Sequence, residues 1–81
     1  MEKTVTLSRL SPGERGIVLD LTTVGAMRRR LLDIGLLRGT EVTCVGQSPA
    51  GDPRAYLICG AVIAIRRRDA DTVLLSRCRN G

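Results

Sequence analysis

Aromatic side chains are almost missing from this sequence. Of 81 residues only Tyr56 carries an aromatic ring, and there is neither Trp nor Phe. The core must therefore come from Leu, Ile and Val, and a surface that stacks successive nucleic-acid bases has one ring to work with. Histidine is absent altogether, so no imidazole is available for proton transfer near neutral pH. The three cysteines, Cys44, Cys59 and Cys78, are odd in number, widely spaced and form no Cys-x-x-Cys pair. That argues against a disulfide framework and against a four-ligand zinc site from one chain. Cys44 and Cys59 read as small apolar fillers in strands, and Cys78 as an exposed thiol near the end. No apolar run approaches the ~20 residues needed to cross a bilayer. The polar opening, with Glu2 and Lys3, has no signal-peptide core. The expectation is a cytoplasmic protein without direct membrane insertion. Carboxylates are scattered, and the closest pair, Asp69 and Asp71, flanks Ala70 in a polar turn. "GLLRGT" lacks the lysine and the spacing of a phosphate-cradling loop. A thiol nucleophile needs a basic partner and a lowered pKa, which apolar strand surroundings do not supply. These absences predict a protein that is not an enzyme and that needs no cofactor or resident metal.

What is present is a short, basic, aliphatic chain. Its length suits one domain, residues 1–81, that buries only about 60–65% of its unfolded surface. Thirteen Lys and Arg stand against eight Asp and Glu, for a net charge of +5. The cations concentrate in two arginine triplets, Arg28–Arg30 and Arg66–Arg68. Such a balance admits nucleic acid, an anionic membrane surface or an acidic protein as partner. Two triplets argue for a real partner without choosing it.

Hydrophobic spacing gives the elements. "LSRLSPGERG" is a turn, with Ser11-Pro12-Gly13 as its punctuation. "GIVLDLT" (16–22) reads as a strand with Ile17, Leu19 and Leu21 on one face and Val18 and Asp20 on the other. Val24, Met27, Leu31 and Ile34 then fall at helical steps, predicting a helix of about three turns. Thr22 or Thr23 is the expected N-cap and Gly35 the stop. Arg29 and Asp33 are spaced to pair across one turn. "EVTCVGQ" is a strand and "SPAGDPR" (48–54) a loop. "AYLICG" and "AVIAIR" are strands meeting at Gly60, "RRRDADT" is a polar or briefly helical turn, and "VLLSR" is the last strand. The predicted fold is mainly β: about five short strands and one inserted helix, in a sheet bent enough to close into a small barrel.

The order of these words resembles the FeoA family of small bacterial ferrous-iron transport proteins. "RRLLDIGLLRGTEV" (29–42), "SPAGDPRAY" and "GAVIAIRRRDADTVLL" carry the likeness, together with the opening "L…L.PGERG.V". It covers about residues 7–75 and leaves 76–81 as a tail. Ile65 stands where the family usually has leucine and Asp69 where glutamate is common. The resemblance implies an SH3-like β-barrel and an accessory role in ferrous-iron transport, a transition-metal process. The implied partner is FeoB, a large membrane transporter with a cytoplasmic GTPase. FeoA-like domains also end metal-dependent repressors, but no winged helix accompanies this one, so the free-standing transporter partner fits better. On this reading Arg28, Arg29, Leu37 and Arg38 at the helix end, and Pro49, Asp52 and Pro53 in the loop, are the expected partner contacts. Of Leu36 and Leu37, one is expected in the core and the other exposed. The alternatives are a basic barrel that binds nucleic acid, without a stacking platform, and a stand-alone metal sensor.

Overall fold

The computed structural model describes residues 4–78. Strand β1 (Thr4–Thr6) leads into a single 3-10 turn, Leu7–Arg9, whose Leu7 is buried. Strand β2 (Arg15–Leu21), helix α1 (Gly25–Asp33) and strand β3 (Glu41–Gln47) follow. A hairpin of β4 (Arg54–Ile58) and β5 (Ala61–Ile65) leads to the short helix α2 (Arg67–Ala70) and strand β6 (Val73–Arg77). Every strand pairing among the described residues is antiparallel, in the order β1-β6-β2-β3-β4-β5.

The strands bend because the ladder is interrupted twice, between Val18 and Asp20 in β2 and between Cys44 and Gly46 in β3. An extra residue at such a point increases local twist and turns the strand. The first interruption also changes which side chains face inward. Gly16 and Val18 are buried and Ile17 and Leu19 only half so, until Leu21 returns to the core. The strict alternation expected for Ile17, Leu19 and Leu21 is therefore replaced by Val18 and Leu21 on either side of the irregularity. Where β5 and β1 end the sheet, α2 rests against the 3-10 turn. The Ser8 hydroxyl and the Asp71 carboxylate are hydrogen-bonded there.

The core is aliphatic, with Leu7, Leu10, Val18, Leu36, Val42, Ile58, Val73 and Leu75 essentially sealed from solvent around Cys44 and Tyr56. Several local expectations are corrected. Val24 is not on the apolar stripe: it is the N-cap residue, extended and 80% exposed, and it makes no side-chain capping hydrogen bond. The Thr22 hydroxyl instead donates to the Thr72 carbonyl, joining β2 to β6. Helix α1 is nine residues long, and no ion pair joins Arg29 to Asp33 among the described residues. Cys59 is not a strand filler but an exposed turn residue at φ 49, and Cys78 is half-buried rather than exposed. The strand Thr4–Thr6, too short and polar to register in the sequence pattern, is a sixth strand.

Candidate functional site

The helix end is built by Gly35. With Ile34 as C-cap, the Leu36 amide donates to the Leu31 carbonyl (3.1 Å) and the Gly35 amide to the Leu32 carbonyl (3.0 Å). These are the two bonds of a Schellman motif, which needs a left-handed residue between them, and Gly35 has φ +107. The motif turns the chain so that Leu36 enters the core beside Leu31, while Leu37 is left 52% exposed next to exposed Arg38. Arg29 is exposed on the helix. Arg28 is half-buried and donates to the Leu21 carbonyl at 2.9 Å, so it ties α1 to the end of β2. Arg28 and Arg38 nevertheless line one cleft of about 380 Å³ beside Leu36.

The loop 48–53 is organised by its own hydrogen bonds. The Ser48 hydroxyl donates to the Asp52 carbonyl at 2.8 Å, and the Gly51 amide to the Ser48 carbonyl at 2.8 Å. The Asp52 carboxylate accepts from the Arg67 amide at 2.9 Å, holding the loop against the start of α2. Pro49 and Pro53 are exposed, and the Asp52–Pro53 peptide is cis. Asp52, Arg54, Tyr56, Ser8 and Arg67 line a cleft of about 250 Å³. Its inner wall is structural. Arg54 donates to the Ser8 and Leu10 carbonyls at 3.0 and 2.6 Å, and the buried Tyr56 hydroxyl reaches the Leu7 carbonyl at 3.4 Å. Burial, and then the nearby Cys44, push the Tyr56 phenol up to about 12. Burial likewise raises the Cys44 thiol.

The helix-end residues and the loop residues lie at opposite ends of β3. Seven residues of strand separate them, about 20 Å at strand rise. The structure therefore sets Arg28, Arg29, Leu37 and Arg38 on one surface and Pro49, Asp52 and Pro53 on another.

A third surface joins residues far apart in the chain. Met27 and Ile34 of α1 and Ile63 of β5 floor a groove of about 360 Å³, with Arg30, Arg66 and Arg68 around it and Asp69 at one side. The triplets were visible in the sequence. What joins Arg30 to Arg66 and Arg68 is a packing of α1 beside β5 that no local pattern encodes. Among the described residues no group of three or more His, Cys, Asp or Glu side chains is placed to hold a metal ion.

The sequence model of one protein family, the FeoA domain, matches residues 5–77. The chain belongs to the FeoA family. A curated relative, the Fe(2+) transport protein A/Fe(2+) transporter FeoB fusion protein of Porphyromonas gingivalis, is 33% identical over 64 residues, 79% of this chain. The chain spans about 8% of that relative's length. Among solved structures, the FeoA protein of Chlorobium tepidum superposes with a TM-score of 0.86 at 31% identity, over 95% of this chain and 73% of that one. The zinc-complexed FeoA of Stenotrophomonas maltophilia, described as a prokaryotic SH3-domain protein, gives 0.81 at 27% identity over 95% and 99%. The curled sheet with its inserted helix is thus the SH3-like fold of FeoA proteins. Among the described residues of this FeoA-family chain no helix is long and apolar enough to cross a membrane.

Proposed function

We propose that this chain is a non-enzymatic accessory module of bacterial ferrous-iron uptake that docks on the cytoplasmic portion of a FeoB-type transporter carrying a GTPase. The observation that carries this reading is the Porphyromonas gingivalis relative, in which an FeoA part and an FeoB part share one polypeptide. Two modules that work in contact gain from being joined, since a linker raises their effective concentration. The helix-end surface suits such a contact. Leu37 is an exposed apolar anchor beside Arg38, with Arg29 on the adjoining helix, and the Schellman turn holds Leu37 in place before any partner arrives. Preorganisation of this kind lowers the entropy cost of binding. Pro49, Asp52 and Pro53 form a second, separate contact, stiffened by the hydrogen bonds within their loop. Both lie on a cytoplasmic protein at the inner face of the membrane.

The test is binding of the purified chain to the transporter's cytoplasmic portion, followed in real time. The wild type binds. Leu37→Glu weakens the complex by about tenfold or more, as expected when an apolar anchor is replaced by a charge. Arg29→Glu slows association several-fold and flattens its salt dependence, because exposed charges act mainly on encounter. Undiminished binding in both variants would remove this surface from the reading.

A further inference from the structure

One wall of the groove beneath Arg30 is an unused strand edge. Among the described residues β5 ends the sheet, with β4 on one side and no strand on the other. The β4–β5 turn consists of two residues, Cys59 and Gly60, at φ 49 and 83. Two-residue turns with both angles positive close on a hydrogen-bonded pair, here Ile58 with Ala61, and bonded and non-bonded pairs then alternate along the ladder. Val62, opposite Leu57, and Ala64, opposite Ala55, fall at non-bonded positions. Their amide and carbonyl groups therefore point away from β4, and no backbone hydrogen bond reaches them among the described residues. Exposed edges are normally blunted by lysine, proline or a bulge. This one reads "AVIAI", pairs with β4 without a register shift, and leaves Val62 64% exposed.

Next to that edge lie the apolar floor of Met27, Ile34 and Ile63 and three cations. Arg30, Arg66 and Arg68 are exposed and make no side-chain hydrogen bond or ion pair among the described residues. Asp69 is the one carboxylate lining the groove. We propose that the groove takes an extended acidic segment of a protein partner, added to the sheet as a further strand beside β5. Its backbone pairs with Val62 and Ala64, alternate apolar side chains rest on Met27, Ile34 and Ile63, and carboxylates at its two ends, where the chain runs past the floor and leaves the strand's alternation, meet Arg30, Arg66 and Arg68 around it. Strand addition supplies affinity through the main chain and selectivity through alternate side chains. A helix laid in the groove would leave the Val62 and Ala64 groups uncovered. A flat anionic bilayer would reach the arginines and not the floor. This names the kind of segment that the transporter reading calls for, and it rests on that reading only for which chain supplies the segment.

The probe is the capped peptide acetyl-DVEIEVD-amide, titrated into the full chain with amide hydrogen exchange as readout. Binding is expected to slow exchange at Val62 and Ala64 by about tenfold or more, as new main-chain bonds require. Arg66→Glu with Arg68→Glu weakens binding about tenfold or more, and the lysine counterpart acetyl-KVKIKVK-amide does not bind, since like charges across a contact are strongly disfavoured. Val62→Pro abolishes binding while removing an amide that no described residue uses. Should that variant fold poorly, N-methylation of alternate peptide residues makes the same cut from the other side. Unchanged exchange at Val62 and Ala64 under saturation, equal binding of both peptides, or full binding of the N-methylated peptide overturns the proposal. So does loss of anionic-vesicle binding in the arginine variant when the acidic peptide never binds. Competition with the transporter's cytoplasmic portion separates the two readings. A peptide that binds as described but is not displaced supports the groove and counts against the transporter there. A transporter fragment that binds wild type and Val62→Pro alike overturns the groove and leaves the docking reading standing.

Discussion

At the scale of single residues, Gly35 shows how a conformational demand and a spatial one can be told apart. A Cβ placed there would lie 2.9 Å from the Cys59 sulfur and 3.2 Å from a Ile58 methyl, on a backbone at φ +107. Gly39 has a similar φ of +92 but nothing within 4 Å of its would-be Cβ. Gly39→Ala should therefore cost about 1 kcal/mol, the price of a left-handed alanine alone, and Gly35→Ala about 2–3 kcal/mol, because strain and collision add. Urea midpoints for the two variants read the difference directly. Tyr56 makes a second residue-level case. Its phenol holds its proton to about pH 12 in the folded chain, against an ordinary value near 10. The folded state thus binds that proton more tightly than the unfolded one. The stability this represents is complete below about pH 10 and is lost as pH rises toward 12, a fall on the order of 2–3 kcal/mol. In Tyr56→Phe that segment of the alkaline unfolding curve should disappear, while the part due to the Cys44 thiol, raised by burial, remains. An unaltered curve from pH 10 to 12 would contradict the burial assigned to Tyr56.

At the scale of elements, what could be read in advance was what depends on neighbours in sequence. Gly35 as the stop of α1 is such a signal, because the left-handed turn and the hydrophobic pair Leu31–Leu36 lie within one stretch. The division of labour between Leu36 and Leu37 follows from the same turn. The inward face of β2 could not be read, because Ile17, Leu19 and Leu21 form a perfect alternation and the irregularity after Val18 exists only through pairing with distant β6. The helix start departs from its local signal for a comparable reason: the Thr22 hydroxyl is taken by Thr72 across the sheet, fifty residues away. The candidate contacts remain candidates, and their division between the two ends of β3 follows from the strand that separates them in the sequence itself. The Cys59-Gly60 turn lies between these cases. Its glycine was legible, but Cys59 at φ 49 is an unusual occupant, since asparagine followed by glycine best suits a turn with both angles positive. Cys59→Asn should accordingly stabilise the chain by about 0.5–1 kcal/mol, seen as a higher melting temperature with unchanged circular dichroism. A lower one would mean that the weak sulfur contact to the Gly35 carbonyl, at 3.9 Å, matters more than the turn.

At the scale of the whole molecule, the decisive property is how +5 of net charge is distributed. Consecutive helical residues are rotated by about 100°, so a triplet on a helix cannot present one face. Arg28 accordingly turns toward β2 and shares a cleft with Arg38, whereas Arg30 turns toward β5 and meets Arg66 and Arg68. Arg54 and Arg67 line a third cleft, and Arg9 and Arg77 a fourth. Arg54 is already spent on the Ser8 and Leu10 carbonyls, and Arg77 donates to the Arg9 carbonyl. Among the described residues, none of these four clefts therefore offers more than three free guanidinium groups. A nucleic-acid duplex engaged through any one of them would release only about two or three counterions, against the six to ten of a dedicated binder. Titration of a labelled duplex should therefore show affinity weaker than about 100 μM at physiological salt, with a log–log salt slope no steeper than about −3. Micromolar binding with a slope beyond −5 would require the clefts to act together on one backbone, and would make nucleic acid rather than an acidic protein segment the natural complement of this surface. Three cations beside an apolar floor and an open strand edge match a partner that brings carboxylates, methyl groups and a free backbone at once, and only a polypeptide carries all three.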